Sequence, residues 1–162
     1  MALNQVGLER LETQVSKKIG TSKNLIINGA MLVAQRGTSS TSNGYGSVDR
    51  FKMSISNVDE NPTQAQADVA SGTTPYSLGF RKAFKVTNGN QTSGAQATDV
   101  LIFTYNLEAQ DIASSGWNYT SSSSDISLSF WVKSSVAQNF FMRVLTNDGT
   151  SQQFPMETGS LS

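Results

Sequence analysis

The chain has no cysteine and no histidine, only 3 prolines in 162 residues, and charged side chains at 15%. Each shortage excludes something. Without histidine there is no Ser-His-Asp or Cys-His arrangement, no imidazole general base and no histidine-ligated zinc site. Without cysteine there is no thiolate nucleophile, thiolate metal site or disulfide framework, and the redox compartment cannot be read from the sequence. The 12 basic and 12 acidic residues cancel, and the isoelectric point lies near 6.2, which argues against sequence-independent binding to nucleic acid. No apolar run approaches the roughly 20 residues that a membrane-spanning helix needs. The first twenty residues, MALNQVGLERLETQVSKKIG, lack the apolar core of a signal peptide.

Ser, Thr, Asn and Gln fill the space left by charge, making up about 38% of the chain, while apolar residues make up 37%. Such a composition goes with β-structure and long polar turns, or with disorder. The 14 aromatic residues, spread along the whole length, favour a folded β-rich domain. The size suits one domain, alone or with a short appendage.

Residues 1–22 differ from the rest. Leu8, Leu11, Val15 and Ile19 recur at spacings of three and four and define one face of a helix, with early glutamates, late lysines and Gly20 as a stop. About four turns of helix are marginal alone. An anchoring or oligomerising segment is therefore expected here, with a body over 23–162.

In that body, strands are expected over Asn24–Met31, Val48–Ser56, Leu78–Asn88, Asp99–Gln110, Ile126–Ser134, Asn139–Thr146 and Ser151–Met156. Within Val48–Ser56, Phe51, Met53 and Ile55 share a face opposite Arg50, Lys52 and Ser54. Ile126–Ser134 places Ile126, Leu128, Phe130 and Val132 inward and Trp131 and Lys133 outward. Long polar loops are expected at Gln35–Ser47, Asn57–Pro75 and Ala113–Ser124, and a bare polar tail at Glu157–Ser162. Seven short strands behind one helix predict an all-β antiparallel sandwich, jelly-roll-like.

The stretch NLIINGAMLVAQRGTSSTSNGYGSVDRF (Asn24–Phe51) resembles the entry segment of β-sandwich modules in tailed-bacteriophage fibre and appendage proteins, notably those of marine cyanophages. The resemblance rests on the Asn-x-Ile-x-Asn-Gly opening, the Gln35–Thr38 step, and Tyr45 followed by Asp49, Arg50 and Phe51. SLSFWVKSS (Ser127–Ser135), with Asp148-Gly149-Thr150 after it, extends the likeness to about residues 24–156. The resemblance implies a carbohydrate-binding-module-like jelly roll on a virion protein, with the N-terminal segment as its attachment. It also implies other virion proteins and a host surface glycan as partners, and a homo-oligomer, a trimer favoured. Modules of this kind continue with further strands beyond the last hairpin, so a truncated domain is expected.

Sugar binding needs aromatic faces beside polar groups. One candidate set is Trp117 and Tyr119, in a serine-rich loop. Another is Trp131 with Lys133 and Arg143, beside Arg81 and Lys85, a basic surround suited to an acidic glycan. Arg50 is expected to pair with a carboxylate or with loop carbonyls. The carboxylate pairs Asp59-Glu60 and Glu108/Asp111 are the only catalytic candidates, and nothing in their spacing forces them about one glycosidic bond. No cofactor, metal site or enzymatic activity is expected.

Overall fold

The structure is a computed structural model, and it describes residues 24–147 and 149–161. The expected helix over 1–22, with Leu8, Leu11, Val15 and Ile19, lies outside the described residues. Among the described residues the fold is mainly antiparallel β-structure with little helix, and the chain divides into two compact units, Met1–Ile126 and Ser127–Ser162.

The first unit contains strands β1 (Ser39–Ser40), β2 (Phe51–Ser56), β3 (Thr63–Asp68), β4 (Lys82–Thr87) and β5 (Val100–Tyr105). Its described residues also hold two short helices, α1 (Thr74–Ser77) and α2 (Ala109–Ser115). The sheets have the orders β1-β3-β4 and β2-β5, with every pair antiparallel. In β2-β5, Phe51 lies opposite Tyr105, Met53 opposite Phe103 and Ile55 opposite Leu101, so the alternating apolar residues of β2 share a face with those of β5. Val48, Phe51, Met53 and Ile55 are buried. Phe84 of β4 reaches this face, with ring centroids 4.4 Å from Phe103 and 6.5 Å from Phe51, while Phe51 stacks on Phe103 at 5.1 Å. The two sheets meet at this aromatic cluster. As the alternation in Leu78–Asn88 predicts, Phe84 and Val86 are half-buried, and Lys85 and Thr87 are exposed.

Strand β3 falls inside the expected Asn57–Pro75 loop, and its sequence explains the miss. The register puts Gln64 opposite Val86 and Gln66 opposite Phe84, so the inward positions of TQAQAD carry amides where a strand pattern calls for apolar side chains. Gln64 is fully buried. Its amide donates to the carbonyls of Ser42 (2.8 Å) and Gly44 (3.2 Å), and its oxygen accepts from the Ser47 hydroxyl (3.2 Å). A Cβ at Gly46 would stand 2.7 Å from the Gln64 amide nitrogen, so the loop closes on Gln64 only with glycine there.

Other expectations also change. Asn24–Met31 forms a turn and no strand: Asn28 and Met31 take positive φ of 60° and 58°, which breaks the extended run. The strand expected over Asp99–Gln110 stops at Tyr105, and helix α2 begins at Ala109 and ends at Gly116, whose φ of 79° closes it. Glu108 holds the N-cap position and Asp111 the first turn, where an acidic side chain suits the helix dipole.

The second unit is a hairpin of β6 (Gln138–Thr146) and β7 (Gln152–Leu161), with a bulge between Asn139 and Phe141. The expected polar tail is therefore wrong from Glu157 onward, because β7 runs on to Leu161, its backbone paired with β6 as far as Gln138. Ile126–Ser134 forms no strand. Its inward set is as open as its outward set, with Leu128, Phe130 and Val132 at 49–51% exposure and Trp131 at 57%. Alternation supplies a two-faced strand only when a neighbouring strand completes its hydrogen bonds, and no ladder includes this segment.

The Gln64→Leu variant keeps the volume but removes three hydrogen bonds from a buried setting. It should cost about 1–3 kcal/mol, read as a lower denaturation midpoint at unchanged slope. Ser47→Ala, which removes one of the three, should cost less.

Candidate functional site

The first expected site is a formed loop. Immediately after α2, the backbone N–H of Trp117 donates to the Ser115 hydroxyl (3.0 Å) and its indole N–H to the Ser124 carbonyl (3.1 Å). The Asn118 N–H donates to the Ser124 hydroxyl (3.1 Å), and the Thr120 hydroxyl to the Asn118 side-chain oxygen (2.7 Å). The serines that make this stretch look unstructured in sequence are the groups that close it. Trp117 is half-buried, Tyr119 is 57% exposed, and their rings lie 6.1 Å apart, tilted by 60°. The tilt makes an open aromatic corner surrounded by hydroxyls, a surface able to stack on the apolar face of a sugar.

The second expected set is divided between the two units. Trp131, Lys133 and Arg143 belong to the second unit and Arg81 and Lys85 to the first. Within the second unit, Trp131 is exposed and the Arg143 guanidinium donates to the Gln153 side-chain oxygen at 3.5 Å. Arg81 is spent locally: it lies 3.9 Å over the Tyr76 ring and donates to the Tyr76 carbonyl.

The carboxylate pairs serve as fasteners. Arg50, at φ 75°, pairs with Glu108 and with Asp111 (3.2 Å), and its guanidinium lies 5.7 Å over the Tyr105 ring. This bears out the pairing expected for Arg50 and ties α2 to the β2-β5 sheet. Its hydrogen bonds to Tyr105 and then to Glu108 push the guanidinium pKa further above its ordinary value. Asp59 accepts from the Ser93 N–H (2.7 Å), the Ser93 hydroxyl (2.8 Å) and the Thr92 hydroxyl (3.2 Å), and Glu60 accepts from the Asn90 N–H. The Ser93 backbone bond, followed by its hydroxyl, holds the Asp59 carboxyl below its ordinary pKa. Among the described residues, no cluster of three or more acidic, His or Cys side chains is placed to hold a metal.

One concavity went unrecognised in the sequence. A cleft of about 450 Å³ is lined by Ile27, Val33, Arg36, Tyr45, Asn106 and Glu108, among others. Its floor is part of the segment Asn24–Phe51. The Asn28 amide donates to the carbonyls of Val33 (2.9 Å) and Asp49 (3.0 Å) and accepts from the Val33 N–H (3.0 Å). Asp49 accepts from the Gln35 N–H (3.2 Å) and pairs with Arg36 at 3.5 Å. The Ile27 N–H donates to the Tyr105 hydroxyl (2.8 Å), and the Asn106 amide donates to the Tyr45 hydroxyl (3.2 Å). Tyr45, Asp49 and Arg50 were visible as a motif. Asn106 and Glu108 were not, because only folding brings them across some sixty residues of chain.

No protein-family profile matches this chain, and no curated protein or solved structure matches it either.

Two outcomes follow from these fasteners. In Arg50→Met, the amides of Ala109–Ser115 should lose hydrogen-exchange protection while those of β2 and β5 keep theirs. For Asp59 the folded pKa lies below the ordinary 3.8, so its contribution is complete above that value and disappears as the pH falls through the lower one. The Ser93 amide resonance should follow that titration, and Asp59→Asn should abolish the change.

Proposed function

We propose that this chain is a structural, non-enzymatic virion protein of a tailed phage, a tail-fibre or head-fibre-like appendage. Residues 1–22 anchor it to other virion proteins, and the body is displayed and contacts host surface polysaccharide. In this reading the two sheets of the first unit, meeting at Phe51, Phe84 and Phe103, are part of a jelly-roll-like sandwich. The observation that carries the binding role is the Trp117–Tyr119 corner: an exposed tyrosine beside a half-buried tryptophan, on a loop that is hydrogen-bonded into shape. A preformed loop loses little entropy when it binds. The virion assignment rests on the sequence resemblance; of its motif residues, Asn28 is bonded to Asp49, and Arg50 pairs with Glu108 and Asp111.

The alternatives are a stand-alone lectin-like module and an architectural or decoration protein with no ligand. One observation favours the decoration reading. Phe141, 78% exposed, and Leu145, 43% exposed, share one face of the β6-β7 hairpin, a surface better suited to a protein neighbour than to sugar.

On a glycan array the whole chain should bind host-type polysaccharide. Tyr119→Ala should weaken binding about tenfold, the loss of one stacking contact of ~1.4 kcal/mol, with the fold unchanged by circular dichroism. Deleting residues 2–20 should leave the β-rich body folded and remove it from particles. Array binding with normal incorporation of the deletion would point to the lectin reading, and incorporation without glycan binding to the decoration reading.

A further inference from the structure

The cleft beside Tyr45 lies apart from the Trp117–Tyr119 loop in the sequence and shares no lining residue with it. Several of its polar groups are already spent. The Asn28 amide is used on both sides by Val33 and Asp49, Asp49 holds Gln35 and Arg36, and Arg50 holds Glu108 and Asp111. These contacts make a fixed floor. What remains above it is a small set of open groups. Among the described residues the Gln35 side-chain amide has no hydrogen-bond partner, and the Tyr45 hydroxyl accepts from Asn106 and keeps its own proton to donate. Arg36 is held loosely: its side chain is 60% exposed, 3.5 Å from Asp49 and 5.9 Å above the Tyr45 ring. Tyr45 is 40% exposed, and Ile27 and Val33 are 46% and 42% exposed.

We propose that this cleft is a second saccharide-binding site, and that it takes a neutral sugar residue, packed against Tyr45 and held through its hydroxyls by Gln35, Arg36 and Asn106. Charge decides the class of ligand. Two guanidinium groups, of Arg36 and Arg50, face two carboxylates, of Asp49 and Glu108, so the walls cancel. A phosphate or uronate entering toward Arg36 also meets Asp49 and Glu108, and a cation meets Arg36 and Arg50. A neutral polyol needs what is left: amides that donate and accept, a phenol and a guanidinium at the rim. About 450 Å³ accommodates such a ligand, since small-molecule pockets run from roughly 300 to 1,000 Å³. The fixed floor also spares the ligand the cost of ordering the site.

This assignment rests on the reading of the body as a saccharide-binding module, and the test separates the two. The whole chain, labelled with nitrogen-15, is titrated with methyl β-glucoside, methyl α-mannoside, methyl β-galactoside and glucuronate. The expected result is amide and side-chain shifts at Gln35, Arg36, Tyr45 and Asn106 with at least one neutral glycoside, and weaker binding of glucuronate. Affinity should fall about tenfold in Tyr45→Ala and by a smaller factor in Gln35→Ala. Arg36→Ala, at an exposed position, guards against a folding defect in the tyrosine variant and should also weaken binding. Shifts confined to Ser115–Ser124 would overturn this site and leave the module reading intact. Tighter binding of glucuronate than of the neutral sugars would overturn the neutral class. An unchanged spectrum with all four sugars would overturn both the site and the reading beneath it.

Discussion

The amide of Gln64 is fully buried between the Ser47 hydroxyl and the carbonyls of Ser42 and Gly44, and it fixes the loop that carries Tyr45. A buried amide left unpaired costs about 1–3 kcal/mol, so the loop and the inward face of β3 each require the other. The same device recurs through the first unit. Gln66 reaches the Met31 carbonyl, Asn28 ties Val33 to Asp49, Asn43 bridges to Ile55, and Asn61 holds the Thr41 carbonyl. A chain with only 37% apolar residues and long irregular connections cannot hold its loops by burial alone. It uses side-chain amides in place of strand partners. The excess of Asn and Gln thus acquires a structural meaning, because these side chains satisfy the backbone groups that loops leave open.

This explains which strands could be read from the sequence. β2, β4, β5 and β6 follow apolar and β-branched patterns; the first three fall within their expected spans, and β6 begins one residue before its own. β3 could not be read in the same way, because its inward residues are Gln64 and Gln66, and alternation of hydrophobicity cannot register an inward amide. Asn24–Met31 fails for the opposite reason. Its β-branched residues suggest a strand, but Asn28 takes a left-handed conformation and its side chain closes the turn. Ile126–Ser134 has the best alternation in the chain and forms no strand. Pattern is a property of the segment, whereas a strand is a property of a pair.

The sites divide along a similar line. Trp117 and Tyr119 could be singled out because aromatics in a serine-rich loop stand out locally, and the contacts that shape the loop are themselves local, spanning at most seven residues. The pairing of Arg50 was legible as a need: a guanidinium placed beside a strand seeks a carboxylate. Its identity was not, since Glu108 and Asp111 come from a helix that had been read as strand and loop. The Tyr45 cleft is less legible still. Its wall is made from the entry turn, the β1-β2 connection and the segment after β5, and no local pattern marks Asn106 as the partner of Tyr45.

The shallowness of both aromatic surfaces bears on how a proposed display protein would work. Neither the Trp117–Tyr119 corner nor the Tyr45 cleft surrounds a ligand; each offers one or two ring faces and a few hydrogen bonds, which for a single sugar residue means weak binding. Weak sites become useful when they are repeated, because a second engagement on the same polysaccharide is governed by the effective concentration of a tethered site. Two such surfaces in one chain, multiplied by the copies in an oligomeric appendage, would give firm attachment while each contact still exchanges rapidly. That arrangement places the demand for affinity on copy number and leaves the individual site free to stay open, polar and built on a floor of hydrogen-bonded amides.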